Sequence, residues 1–152
     1  MSKPTGSYPS LKVDTAGVRV VSNAGTVLLV QTVTTLGLDQ ALSAALDRWR
    51  RPTAIHDPGK IVCDLALTLA IGGDCLADIA VLRNEPEVFG LVASDPTVSR
   101  LIDTLADDAD KVLAAISAVR ATIRAAAWRQ AGEHAPDHDI SPGSPLIVDL
   151  DA

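Results

Sequence analysis

The sequence predicts a mainly α-helical fold, a bundle of five or six helices with a short N-terminal β element and a C-terminal strand. The first observation is compositional: 47% of the 152 residues are hydrophobic but only 3% are aromatic, so aliphatic residues and alanine must form the core. The second is periodic, since apolar residues recur at helical spacing over residues 24–132, between capping signals. The third is the segment 145–148, which has the pattern of a buried strand and follows a linker rich in Gly, Pro and Ser.

Residues 1–21 are expected to form an N-terminal arm or hairpin. Apolar residues alternate weakly over residues 11–20, which is typical of two short strands or one extended arm. From Ala24 the spacing becomes helical, and Gly37 is a natural C-cap for this first helix. The apolar face of the second helix consists of Leu38, Leu42, Ala45, Leu46 and Trp49.

The next helix is expected to be central and buried. Asp57 is an N-cap candidate, and Pro58 takes the first helical position, where its missing N–H has no intrahelical partner to lose. The residues that follow are apolar on nearly all sides until Gly72 and Gly73, a pattern typical of a helix surrounded by others.

Three further helices complete the predicted bundle. Asp74 is expected to cap a helix that stops before Pro86. Ser94 or Asp95 is expected to cap the next helix. The last and longest helix is expected over about residues 108–132.

The domain organisation follows from these elements. The helical domain is predicted to span residues 22–132, followed by a linker over 133–144 and a strand over 145–152. A lone strand cannot pair its backbone groups or bury both of its faces. We therefore expect this strand to be the first strand of a second domain that is truncated in this chain.

Charge is distributed unevenly along the sequence. The net charge is −6, but residues 133–152 contain five acidic residues and no Lys or Arg, so the first 132 residues carry only −1. Within them, the segment RWRRPTAIHDPGK forms a small basic patch. The residues predicted to contact DNA are Arg48, Arg50, Arg51 and Lys60 in this segment, Arg100 in a candidate recognition helix, and Arg120 and Arg124 one turn apart on the last helix.

Several classes of protein are not expected. The N-terminus has no apolar signal-peptide core, and the longest apolar stretch contains Asp64 and ends at Gly72, too short to cross a bilayer. Cys63 and Cys75 are isolated, so we expect reduced thiols in a cytoplasmic protein with no membrane partner. The sequence has no Gly-rich phosphate loop and no Ser–His or Cys–His catalytic signature.

The end of the sequence carries a pair of carboxylates at strand spacing. Asp149 and Asp151 are two residues apart, so in a strand their side chains point to the same side. Carboxylate oxygens at the end of a strand suit Mg²⁺ and phosphoryl transfer. The alternative is that both are solvated acids near a terminus.

Two protein families place carboxylates in this way after an apolar strand. Haloacid-dehalogenase-type phosphatases use the first Asp of a DxD motif as a nucleophile, but their motif normally stands near the start of the domain. DDE transposases place their first catalytic Asp on the first strand of a ribonuclease-H-like core, after a helical N-terminal domain. The helices that precede residue 145 here favour the second family.

Five stretches, in order, resemble the N-terminal half of insertion-sequence transposases of the group-one DDE family. They cover roughly residues 18–152 and read VVSNAGTVLLVQTVTTLGL, DPGKIVCDLALTLAIGGDCLADIAVLRNEPEVFG, ASDPTVSRLID, AISAVRATIRAAAWRQAG and PLIVDLDA. The resemblance implies a role in DNA transposition, with binding of transposon ends and a homodimer. It also implies that Asp149 or Asp151 is the first DDE aspartate and a ligand of Mg²⁺, and that the strand at 145–152 begins a ribonuclease-H-like core.

The resemblance also implies what this chain lacks. The second Asp and the Glu of the family's triad would lie beyond Ala152, so we expect the chain alone to be inactive in strand transfer and to hold Mg²⁺ poorly. Two alternatives stay open: a stand-alone helical interaction domain with no DNA role, and a remnant of a DxD-type phosphatase.

Overall fold

The computed structural model describes residues 7–11 and 25–147. Within these ranges the fold is mainly helical, as predicted, with seven α-helices and no strand. The helices are α1 (Thr26–Leu36), α2 (Leu38–Leu46), α3 (Pro58–Ala70), α4 (Ile79–Arg83), α5 (Pro86–Phe89), α6 (Asp95–Ala106) and α7 (Ala109–Ala131). Three short 3₁₀ turns accompany them at Asp47–Trp49, Leu76–Asp78 and Gly132–His134.

Helix α2 packs against both α3 and α7, and α3 also packs against α4. Side chains from every helix contribute to the hydrophobic core. Those buried in it include Val30, Leu42, Ile61, Leu67, Ile79, Leu82, Phe89 and Val98, and the partly buried Ile116 of α7 packs against them. The contact of α3 with α2 is especially close. A Cβ atom on Gly59 would overlap the backbone of Leu42 and Ser43, so only glycine fits at this position.

The local capping predictions for α1 and α3 are confirmed. Gly37 ends α1 with a left-handed φ of 71°, and its N–H donates to the carbonyls of Val33 and Thr34. Asp57 caps α3, because its Oδ1 accepts from the backbone N–H of Lys60 at 3.0 Å, and Pro58 follows at the first helical position.

The segment between α3 and α6 differs from the prediction. Asp74 does not cap the next helix. The Asp78 carboxylate instead accepts from the backbone N–H groups of Asp74 at 2.9 Å and Cys75 at 3.0 Å. This arrangement produces a 3₁₀ turn before α4, and Pro86 then begins the separate α5, so seven helices replace the expected five or six.

The predicted β elements are not found in the part of the chain that the structure describes. Residues 7–11 and 145–147 have no regular secondary structure, and a single antiparallel bridge joins Ser141 and Ser144. The remainder of both predicted strands, over residues 12–20 and 148–152, lies outside the described residues. Among the described helices, none combines the length and hydropathy needed to cross a membrane.

Candidate functional site

A cleft of about 300 Å³ lies between the loop that precedes α3 and one face of α6. The loop supplies residues 49–51 and 53–56, the start of α3 supplies Pro58 and Ile61, and α6 supplies Thr97, Arg100, Leu101 and Thr104. The four α6 positions follow the i, i+3, i+4, i+7 spacing of a single helix face. The cleft therefore joins the basic segment RWRRP to the candidate recognition helix, although about 50 residues separate them in the sequence.

The buried carboxylate of Asp57 fixes the loop side of the cleft. Its Oδ2 accepts from the Ser43 hydroxyl on α2 at 2.7 Å and lies 3.5 Å from the Arg50 guanidinium. The same side chain caps α3 through Lys60 N–H. One carboxylate thus ties the loop to two helices, and it holds Arg50 at the wall of the cleft.

The α6 side of the cleft is fixed at the start of that helix. The Arg83 guanidinium donates to the Asp95 carboxylate at 3.1 Å and to the Ala93 carbonyl at 3.0 Å. Val98 is fully buried against the core. Arg100 remains exposed on α6, where its guanidinium donates to the Thr97 hydroxyl at 3.2 Å.

Three guanidinium groups line the cleft, and a fourth lies nearby. Arg50, Arg51 and Arg100 are lining residues, and neither Arg51 nor Arg100 forms an ion pair within residues 7–11 and 25–147. Arg48 is exposed next to the lining residue Trp49, with its guanidinium carbon 4.8 Å from the indole centroid and 3.9 Å between its Nη2 and Asp108 Oδ2. The arrangement is cationic and suits an anionic group such as a phosphate.

His56 also lines the cleft, where its surroundings favour the neutral imidazole. Burial lowers the pKa of its imidazole, and the charge of nearby Lys60 lowers it further. A neutral imidazole offers one hydrogen-bond donor and one acceptor. The cleft therefore combines fixed positive charge with one neutral group that can both donate and accept.

Lys60 does not lie at this surface, contrary to the sequence-based expectation. It is buried, and its Nζ donates to both carboxylate oxygens of Asp64, at 2.9 and 2.8 Å. The Tyr8 hydroxyl donates to the same carboxylate at 2.7 Å, and Lys60 Nζ lies 4.4 Å from the Tyr8 ring centroid. Lys60 therefore anchors the N-terminal segment to α3, and its ammonium group is not available to a phosphate in this conformation.

Arg120 and Arg124 lie on α7, away from the residues that line the cleft. Both are exposed, and the Arg124 guanidinium carbon is 5.9 Å from the Trp128 ring centroid. Arg124 borders a separate open depression of about 660 Å³ that also contains Asp137 and Asp139. Arg124 thus belongs to a second surface of mixed charge, and Arg120 lies four residues before it on the same helix.

The residues predicted to bind Mg²⁺, Asp149 and Asp151, lie outside the described residues. Within the described part, Asp74, Cys75 and Asp78 come close enough to share an ion. Asp78 already accepts two backbone N–H groups there, and these hydrogen bonds lower the pKa of its carboxyl. These three residues are explained by the cap of a 3₁₀ turn. They are not the carboxylates that the family resemblance assigns to Mg²⁺.

Sequence reasoning missed the cleft itself and the buried Tyr8–Lys60–Asp64 cluster. One signal for the cluster was available, since Lys60 and Asp64 are four residues apart on a helix that is apolar on most sides. No signal in the sequence pairs residues 50–56 with α6, because the contact is tertiary and joins segments about 50 residues apart.

Residues 3–152 match the model of the family described as transposase DDE domain group 1. No curated protein and no solved structure matches the sequence.

Proposed function

Because the chain belongs to the transposase DDE domain group 1 family, we propose that its helical domain binds the DNA of transposon ends through the cleft beside α6. One observation carries this proposal: the fold gathers Arg50, Arg51 and Arg100 around one cleft. Guanidinium groups bind phosphate oxygens through paired hydrogen bonds, and Arg is the usual residue at such contacts. Arg48, exposed beside Trp49, would extend the same surface along the DNA backbone.

The arginine side chains of the cleft are suited to phosphate binding because their contacts within the protein are weak. Arg51 has no ionic partner in the described part of the chain, and Arg100 contacts only a neutral hydroxyl. Binding phosphates would therefore cost them little in broken ion pairs. Lys60 is left out of the proposed contact set because its charge is already paired within the core.

The remaining family functions are proposed for residues outside the cleft. Arg120 and Arg124 would take further phosphates along α7. Asp149 and Asp151 would be the carboxylates that hold Mg²⁺, which supplies Lewis-acid chemistry in the family. The resemblance alone supports a homodimer.

The proposal is tested by fluorescence anisotropy at 50 mM salt. The measurement gives the affinity of the protein for a fluorescein-labelled DNA duplex that contains the terminal sequence of the transposon. The variant R51Q/R100Q removes two exposed charges from the cleft and is expected to weaken binding at least about tenfold. The individual R51Q and R100Q variants should each show part of this loss.

The matched control is R129Q, which removes one exposed arginine at the far end of α7. Residue 129 is 21 positions beyond Asp108, the partner of Arg48, and so about 30 Å further along the helix. Because Arg129 shares a depression with Arg124, a proposed phosphate contact outside the cleft, R129Q should weaken DNA binding only mildly and clearly less than R51Q. If R51Q and R129Q weaken binding equally, the cleft is not the DNA site, and if the unmodified protein does not bind DNA, a stand-alone interaction domain is favoured.

A further inference from the structure

The cleft is too small to hold a duplex, and its walls are not those of a simple phosphate site. A cube of about 300 Å³ has an edge of about 7 Å, whereas the major groove of DNA is itself about 12 Å wide. A duplex can therefore touch the guanidinium groups at the mouth of the cleft but cannot enter it. The volume of the interior has room for a group no larger than one nucleotide.

Apolar side chains form part of the cleft wall beside the arginines. Trp49, Ile55 and Leu101 all line it, and Ile55 is 67% exposed to solvent. Phosphate contacts alone do not require an apolar wall, whereas a nucleobase is a flat group that gains from such contact. A wall of this kind next to three guanidinium groups is complementary to a base joined to a phosphate.

The loop that precedes α3 holds Ile55 in the wall of the cleft. The backbone N–H of Ala54 donates to the Arg51 carbonyl at 2.9 Å, which closes a turn, and Ile55 follows it directly. Asp57, two residues later, fixes the other end of the loop through its contacts with Ser43 and Lys60 N–H. Arg51 and Ile55 are thus placed by the same short turn.

We propose that the cleft binds one unpaired nucleotide at the end of a DNA duplex, with its phosphate on Arg51 and Arg100 and its base against Ile55 and Leu101. This inference rests on the proposed function and adds the part of the DNA that the cleft recognises. Neutral His56 lies in the same cleft and can both donate to and accept from a base edge.

The experiment compares two labelled duplexes of identical sequence, one blunt and one with a single unpaired nucleotide at one end. The unmodified protein is expected to prefer the unpaired end about tenfold, since contact with one base contributes at about this level. I55A should reduce the preference to about twofold or less. The matched control is L69A, because Leu69 is similarly exposed, at 66%, and does not line the cleft.

A second measurement reports occupancy of the cleft directly. Trp49 and Trp128 are the two tryptophans of the chain, so the W128F variant leaves Trp49 as the only indole reporter. Its fluorescence should change on addition of the unpaired-end duplex and much less on addition of the blunt one. Deoxynucleoside monophosphate should compete only at about 100-fold higher concentration, because it lacks the flanking phosphates.

The outcomes separate this inference from the proposed function. Equal affinity for both duplexes, with R51Q/R100Q still impaired, would overturn the nucleotide inference and leave the DNA-binding proposal standing. If the free nucleotide competes at the same concentration as the DNA, the ligand of the cleft is a free nucleotide. That result would overturn the proposal that the bound nucleotide belongs to a DNA end. Absence of binding to either duplex would overturn both.

Discussion

Replacing Asp64 by alanine is expected to lower the free energy of unfolding by about 3–5 kcal/mol, because it leaves a buried ammonium without its partner. Lys60 Nζ donates to both Asp64 oxygens, and both side chains are at most 3% exposed. Burial raises the pKa of Asp64, and the charge of Lys60 opposes that rise. The same substitution removes the acceptor of the Tyr8 hydroxyl. Urea denaturation followed by circular dichroism measures the change.

The double variant K60M/D64L is the matched control for this prediction. Replacing a buried ion pair by apolar residues of similar size is often nearly neutral, so this variant should recover most of the stability that D64A loses. Adding Y8F would remove the one hydroxyl still without an acceptor, a further gain of about 1 kcal/mol. If D64A costs less than about 1 kcal/mol, the pair is solvated and the N-terminal segment is not anchored as described.

Gly59→Ala should destabilise the protein by about 3 kcal/mol, at the upper end of the range for overpacked cores. The added methyl group would overlap the backbone of Leu42 and Ser43, and backbone atoms cannot rotate away as a side chain can. The two helices would have to separate, which would also disturb Asp57 and the cleft it supports. The melting temperature and the affinity for DNA should therefore fall together.

Gly25→Ala is the control for the glycine substitution. Gly25 has ordinary helical dihedral angles, and a Cβ atom there would meet no atom of the described residues within 4 Å. This variant should keep its stability within about 0.5 kcal/mol. A Gly59→Ala protein as stable as Gly25→Ala would contradict the close packing of α2 and α3.

The elements that sequence reasoning predicted correctly are those whose signals are local. Gly37 and Asp57 act through hydrogen bonds to residues within four positions, so a short window contains the whole interaction. The long α7 was predicted within about one residue at each end for the same reason, since its apolar repeat is regular and no proline interrupts it. The helical class follows from these local patterns.

The errors arose where a nearby group competed with the predicted one. Asp74 was the predicted cap, but the structure uses Asp78, because a 3₁₀ turn brings its carboxylate to two N–H groups at once. Lys60 was assigned to a basic surface because its neighbours in the sequence are basic. In the structure it is buried and paired with the Asp64 carboxylate, one helical turn away. Neither choice can be decided without the tertiary packing.

The candidate site was only partly predictable. Arg50, Arg51 and Arg100 were each identified as DNA-contacting candidates, yet nothing in the sequence placed them around one cleft. Their convergence depends on Val98 in the core and on the Arg83–Asp95 pair, which together orient α6. The roles of Asp149 and Asp151 stay a prediction, since those residues lie outside the described ranges.

The salt dependence of DNA affinity is the sharpest test of phosphate binding in the cleft, because each phosphate neutralised adds about −0.9 to the slope of log K against log salt. Anisotropy titrations between 50 and 200 mM salt would compare the unmodified protein with R51Q/R100Q and with R120Q/R124Q. If Arg51 and Arg100 each bind a phosphate, R51Q/R100Q makes the slope shallower by about 1.8, and a comparable change in R120Q/R124Q would show that α7 contacts the DNA as well. An unchanged slope in R51Q/R100Q, with DNA still bound, would contradict phosphate binding in the cleft.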